Sequence, residues 1–232
     1  MDLSADNYDP YAIEEDNSCV WADGSPVCDF QNSLTYDGYT YDLVAIGDQC
    51  WFAENLRNEH YANGDAIPGG LNSSEWNETS NGAQAVFGDG TSPVINGSED
   101  EVANLADYGR LYNWYAVDDS RGLCPSGWHV PTDAEYITLT DDLGGLAVAG
   151  DQMKSSTAWN GTNTSGFSGL AGGMRVTQGA FALEGLNGRF WSASAAPNPY
   201  YAWGRTLYDG SPDVGRPSSP LGEGYSVRCV RD

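Results

Sequence analysis

With 232 residues, a formal net charge of −23 and a single lysine, Lys154, the chain is a poor partner for nucleic acid, because phosphate binding needs clustered Lys and Arg to displace counterions. Anionic membranes are disfavoured for the same reason, and no apolar run approaches the 18 residues of a spanning helix, so no membrane insertion is expected and the chain reads as soluble and already processed. The 29 glycines, 8 Trp and 14 Tyr, against 19% charged residues, describe short strands, tight turns and amphipathic aromatic surface rather than a helical bundle.

Residues 1–27 form an acidic arm with little apolar periodicity, too poor in hydrophobic residues to build a core alone. Asp6, Asn7, Asp9, Glu14 and Asp16 are hard oxygen ligands of the kind calcium takes, although their spacing lacks the regularity of an EF-hand. Calcium is the one cofactor the sequence raises, and screening of carboxylates for solubility is the simpler reading of the charge.

Residues 28–232 read as one globular domain. Asp37-Gly38 is a hairpin turn between Tyr-, Val- and Ile-rich runs. Residues 58–105 are rich in Gly, Asn and Ser and are expected as surface loops, with a strand near 85–87. Two helices are expected, over 105–117 and 132–143. The first places Leu111, Trp114 and Tyr115 on one side, and the second opens on a Thr132–Glu135 capping box and ends at Gly144-Gly145. Glycine-punctuated strands follow at 172–176, 179–183, 189–194, 201–208 and 225–230.

The five cysteines, Cys19, Cys28, Cys50, Cys124 and Cys229, contain no C-x-x-C pair, and only His60 and His129 could join them at a zinc site. Disulfides in an extracellular chain fit better. Cys28 and Cys50 bracket the first hairpin.

Several motifs, in order, carry a resemblance. They are Gly47-Asp48-Gln49-Cys50-Trp51-Phe52-Ala53-Glu54-Asn55-Leu56, Tyr108-Gly109-Arg110-Leu111-Tyr112-Asn113-Trp114 and Gly122-Leu123-Cys124-Pro125-Ser126-Gly127-Trp128-His129-Val130-Pro131-Thr132. Ser165-Gly166-Phe167-Ser168, Phe190-Trp191-Ser192 and Ser226-Val227-Arg228-Cys229-Val230-Arg231-Asp232 complete the series. Together they resemble the FISUMP (major paralogous) domain family of secreted bacterial proteins. The resemblance implies an α+β, C-type-lectin-like fold, related also to formylglycine-generating enzymes, with two helices beside twisted, mostly antiparallel β-structure and long irregular loops. It further implies that Cys124 pairs with Cys229, leaving Cys19 as the odd sulfur, unpaired or joined to another molecule. Residues 1–27 resemble a short acidic repeat of bacterial surface proteins. A Cys normally precedes its opening Met-Asp and is missing here.

Little in the chain points to catalysis. His129 is the best candidate, but no nucleophile motif accompanies it, and a structural histidine just before a helix is the better reading. The carboxylates at Asp118-Asp119, Asp141-Asp142 and Glu99-Asp100-Glu101 read as solvated surface rather than as a glycosidase pair. Tyr200, Tyr201, Trp203, Arg205 and Tyr208 form an aromatic run of the kind that stacks on sugars or anchors protein interfaces. Asn72, Asn77, Asn96, Asn160 and Asn163 head glycosylation sequons. Three readings follow, in order of preference. The first is a structural or adhesive extracellular surface protein that assembles with copies of itself, as a filament or surface-layer subunit, through its arm. The second is a lectin-like binder of glycans or cell-surface proteins using the aromatic run. The third is a secreted glycoside hydrolase.

Overall fold

The computed structural model describes Cys28 and residues 31–232. β1 (Ser33–Tyr36) and β2 (Tyr39–Ile46) form a hairpin around Asp37 and Gly38, whose φ values of 45° and 81° are the left-handed pair that a type I′ turn requires. β3 (Gln49–Phe52) returns antiparallel to β2, and the sheet continues through β13 (Val230–Arg231) to β6 (Trp128–His129). A six-stranded sheet is built on the long pair β9 (Asn187–Ala195) and β10 (Tyr201–Tyr208). β11 (Val214–Gly215) and β12 (Ser218–Pro220) pair with β10 on one side. On the other, β7 (Gly172–Arg175) runs parallel to β9, and β8 (Phe181–Glu184) pairs with β7.

Neighbouring residues on a strand point to opposite faces, so a strand buried on both sides reads as a continuous apolar run. Cys50-Trp51-Phe52 is such a run. Trp51 faces a cluster with Tyr136, Leu139, Phe167 and Phe190, while Phe52 faces another with Tyr41, Tyr112, Trp191 and Tyr225. Phe190 and Trp191 divide the same way on β9, and Cys229 and Val230 do so at the C-terminal end. A third cluster under the loops holds Trp76, Phe87, Leu111 and Phe181. Ring pairs set the geometry: Trp191 stacks on Tyr225 with centroids 4.3 Å apart, and Tyr41 stacks on Phe52 at 4.8 Å.

The architecture is α+β and mostly sheet, and it corrects the helix expectation. Among the described residues there are five short helices: α1 (Ser73–Glu78), α2 (Glu101–Tyr108), α3 (Trp114–Val117), α4 (Asp133–Asp142) and α5 (Ala149–Met153). The single helix expected over 105–117 is split. Gly109 ends α2 at φ 72°, where an added Cβ would lie 2.7 Å from the Leu56 carbonyl oxygen. Leu111 and Tyr112 then form β5 against β4 (Gln84–Ala85), and Asn113 caps α3 through its side-chain oxygen. The helical spacing of Leu111, Trp114 and Tyr115 is outweighed by this pairing. The 225–230 strand is likewise shorter than expected, with Tyr225 and Ser226 making only isolated bridges. By contrast, α4 starts on the expected capping box, with Thr132 accepting from the Glu135 N–H and Glu135 accepting from the Thr132 N–H.

Two disulfides staple the sheets: Cys28–Cys50 beside the hairpin, and Cys124–Cys229, which spans 105 residues of sequence and lies within the first core cluster. Long loops gain most from closure, so replacing both Cys124 and Cys229 by Ala is expected to cost about 3–5 kcal/mol. The measurement is the urea midpoint of the variant against the parent chain under non-reducing conditions.

Candidate functional site

The expected aromatic site is divided by the fold. Tyr200, in the turn before β10, is 76% exposed, and Tyr208 lies at the exposed far end of the strand. Tyr201 and Trp203 are half-buried, and the Arg216 guanidinium lies 4.1 Å from the Trp203 ring centroid. That cation covers one face of the indole. Arg205 is withdrawn from the expected binding surface: it is fully buried, its Nη1 donating to Asp133 Oδ1 at 2.8 Å and its Nη2 to the Asp133 carbonyl oxygen at 3.0 Å. The reason is packing. The β10 face that carries Trp203 and Arg205 lies under α4, whose first residue, Asp133, accepts hydrogen bonds from both Arg205 and Arg216. Burial alone would raise the Asp133 pKa. The hydrogen bonds from Arg216 and Arg205 outweigh it and hold the carboxyl below its ordinary value.

His129 is clamped. Its Nδ1 lies 2.7 Å from Asp232 Oδ1 and its Nε2 2.7 Å from Glu135 Oε1, so one imidazole links β6, the first turn of α4 and the C-terminal residue. Burial works against its charge, but the two carboxylates raise its pKa above the usual 6.5. Both ring nitrogens are engaged, and neither faces a nucleophile.

Among the described residues the carboxylate runs are engaged only at Asp119 and Asp100. Asp119 accepts two bonds from the Arg121 guanidinium, which pull its pKa down to about 2, and Asp100 caps α2 by accepting from the Ala103 N–H. Asp142 is raised, first by burial and then by Asp48 and Asp141 beside it. Among the sequon asparagines, Asn72 caps α1 and Asn77 is exposed on it. Asn96 accepts from the Leu183 N–H, Asn160 donates to Asp209, and Asn163 donates to Ser168. The calcium-type residues Asp6, Asn7, Asp9, Glu14 and Asp16 and the odd cysteine Cys19 lie outside the described residues. Within the described residues no group of His, Cys, Asp and Glu is placed to hold a metal ion.

Two open features remain. One is a cleft of about 530 Å³ that sequence reasoning missed. The turn after β3 supplies one wall with Glu54, Asn55 and Arg57, and the end of α2 adds Asp107 and Tyr108. Ser156 and Thr157, after α5, also line it. The deepest lining residue is Arg228, 1% exposed, whose guanidinium donates to the Phe52 and Phe167 carbonyls at 3.0 and 2.6 Å and to Asn55 Oδ1 at 2.7 Å. Burial lowers its pKa to about 10, which still leaves it charged at neutral pH. Two loops, the end of α2 and the C-terminal segment meet here, and no local motif announces such a meeting.

The other is the edge of β1. Tyr36 pairs with Tyr39 across the two-residue turn, and Leu34 with Tyr41. The Leu43 N–H donates to the Asn32 carbonyl at 2.8 Å, so the even-numbered residues carry the ladder. The backbone groups of Ser33 and Thr35 therefore point away from β2, and both residues are exposed. Among the described residues β1 has no second neighbour strand.

Two disulfides and two mostly antiparallel sheets define a stapled α+β domain of the kind found in oxidising compartments, and among the described residues no helix is long and apolar enough to cross a membrane. The chain belongs to the Fibrobacter succinogenes major domain family, whose model matches residues 44–231. No curated protein matches it. The family and the disulfides fit an extracellular surface protein.

Removing the Asp133 carboxylate would leave Arg205 buried beside a neutral partner. Asp133→Asn is expected to destabilise the chain by about 3 kcal/mol, read as a lower melting temperature and urea midpoint. The His129 clamp has a sign as well. Its raised pKa makes its contribution complete below about 6.5 and lost as pH rises through the folded value. For Glu135, the hydrogen bonds from Thr132 and His129 outweigh burial and lower the pKa, so its contribution is lost as pH falls below about 4.5. The stability difference between the parent and His129→Gln should thus be largest between these values and shrink above them, as followed by melting temperature against pH.

Proposed function

We propose that the chain is a non-enzymatic, structural or adhesive subunit of an extracellular surface that assembles with copies of itself through its acidic N-terminal segment. The observation that carries the reading is the β1 edge. Its outward backbone groups at Ser33 and Thr35 lack the lysine, proline or bulge that ordinarily guards a sheet edge. Strand addition supplies affinity through main-chain hydrogen bonds, and a head-to-tail contact of this kind propagates into filaments. The segment that would pair precedes the domain by only a few residues, so pairing between copies leads naturally to a chain of subunits. The lectin-like fold that the sequence motifs imply belongs to the same reading, as a scaffold that displays surface rather than one that performs chemistry. His129, Asp119 and Asp133, each engaged in ion pairs, support that view.

A second reading, ligand binding at the aromatic run, has the exposure of Tyr200 in its favour, while the burial of Arg205 and the Arg216 cover over Trp203 weaken it.

Light scattering of the full chain in moderate salt should report species larger than one copy. Deleting residues 1–27 should reduce them to monomer. Thr35→Pro removes an outward N–H and the exposed Thr35–Thr40 hydroxyl contact but leaves the backbone β1–β2 ladder intact, so in the full chain it should weaken assembly by about tenfold or more with little change in melting temperature. Equal oligomers from the truncated and full chains, or a full chain that stays monomeric, would refute the assembly.

A further inference from the structure

We propose that the cleft beside Arg228 is a binding site for a neutral saccharide of one or two rings. This is independent of assembly at the β1 edge. The volume, about 530 Å³, lies within the roughly 300–1,000 Å³ of small-ligand sites. Its charge is the first argument for the ligand class. Arg57 and Arg228 are matched by Glu54 and Asp107, which gives a formally neutral lining in a chain of net charge −23. An anion would meet two carboxylates within a strongly acidic protein, and a metal ion would meet two guanidinium groups. A polyhydroxylated ring satisfies both signs, because each hydroxyl donates one hydrogen bond and accepts others.

The second argument is the supply of groups still able to bond. Arg57 spends its Nε and Nη2 on the Leu105 and Ala106 carbonyls at the end of α2 and makes no ion pair among the described residues. Glu54 engages one carboxylate oxygen, Oε2, with the Asp42 N–H. Asp107 and Ser156 both line the cleft and are exposed, and their side chains make no hydrogen bond among the described residues. Tyr108 and Leu170 add apolar surface for the ring face of a sugar.

The third argument is rigidity. Asn163 and Ser168 both hold φ at 52°, two of the four non-glycine residues with positive φ among those described, and they bond to each other through Asn163 Oδ1 and Nδ2 at 2.8 and 3.0 Å. Asn55 is fixed by Arg228 on its oxygen and by the Tyr108 carbonyl on its nitrogen. Unusual backbone conformations persist where the surroundings over-determine them, and they gather at ligand clamps. A wall fixed beforehand loses less on binding.

The test uses the full chain with cellobiose, maltose, lactose and N,N′-diacetylchitobiose as probes, and digalacturonate as an anionic comparison. Saturation-transfer NMR and calorimetry provide the readout. At least one neutral disaccharide should bind saturably below about 10 mM. Asp107→Ala and the cleft-filling Ala158→Trp should each weaken that binding by about tenfold or more. Trp203→Ala, on the aromatic run, should leave it unchanged. Both cleft positions are exposed, and circular dichroism with melting curves verifies that the variants fold. The proposal is overturned if no neutral disaccharide binds, if digalacturonate alone binds, if both folded cleft variants bind as the parent does, or if Trp203→Ala is the variant that abolishes binding.

Discussion

A buried cation holds the domain together. Arg228 has no carboxylate within ion-pair distance among the described residues, and backbone carbonyls and a side-chain amide satisfy it instead. Such a group is costly to bury and costlier to leave unmatched, so it dictates where its acceptors must stand. It fixes the end of β3 through Phe52, the loop after α5 through Phe167, and the turn beyond β3 through Asn55. Its neighbours extend the same restraint. Cys229 is bonded to Cys124, Val230 lies between Trp51 and His129 in the sheet, and Asp232 reaches the His129 imidazole. Five consecutive residues, Arg228 to Asp232, thereby tie both core clusters to the first sheet.

Burial of cations is not confined to Arg228. Arg110, Arg175, Arg205 and Lys154 are also buried, so with Arg228 half of the ten basic residues are internal. Arg175 shows how this is done without a counter-ion. Its guanidinium lies over Trp76 at 4.3 Å, donates to the Leu71 and Gly179 carbonyls, and has its pKa lowered by burial to about 10. The outer surface is consequently more acidic than the composition indicates. Copies of the chain repel one another at long range, and any contact between them depends on salt to screen that field.

What was legible in the sequence was what neighbouring residues decide. The Asp37-Gly38 turn, the Thr132–Glu135 capping box and the 201–208 strand each depend on a short stretch of chain and stand where the residues place them. The helix over 105–117 was misread because strand pairing at Leu111 and Tyr112 involves Ala85 and Gln84, far outside any local window. Arg205 was misread for a related reason. Alternation along a strand gives two faces but not which of them another element will cover, and α4 covered this one. The cleft left no trace in the sequence, since Glu54, Asp107, Ser156 and Arg228 are strangers until the fold is complete.

The position of β13 between β3 and β6 has a consequence for how the molecule is made. The strand that joins β3 to β6 in the first sheet is the last of the described strands in chain order. Until it emerges, β3 lacks its second neighbour, Trp51 and Phe52 have incomplete surroundings, and Cys124 waits for a sulfur 105 residues downstream. A domain dominated by such distant pairings folds slowly, and not before its final segment is present. A chain exported from its N-terminal end would therefore cross as an unfolded thread with Cys124 still reduced. Chaperones and the oxidising machinery on the far side would have to hold it there until the last strand arrives.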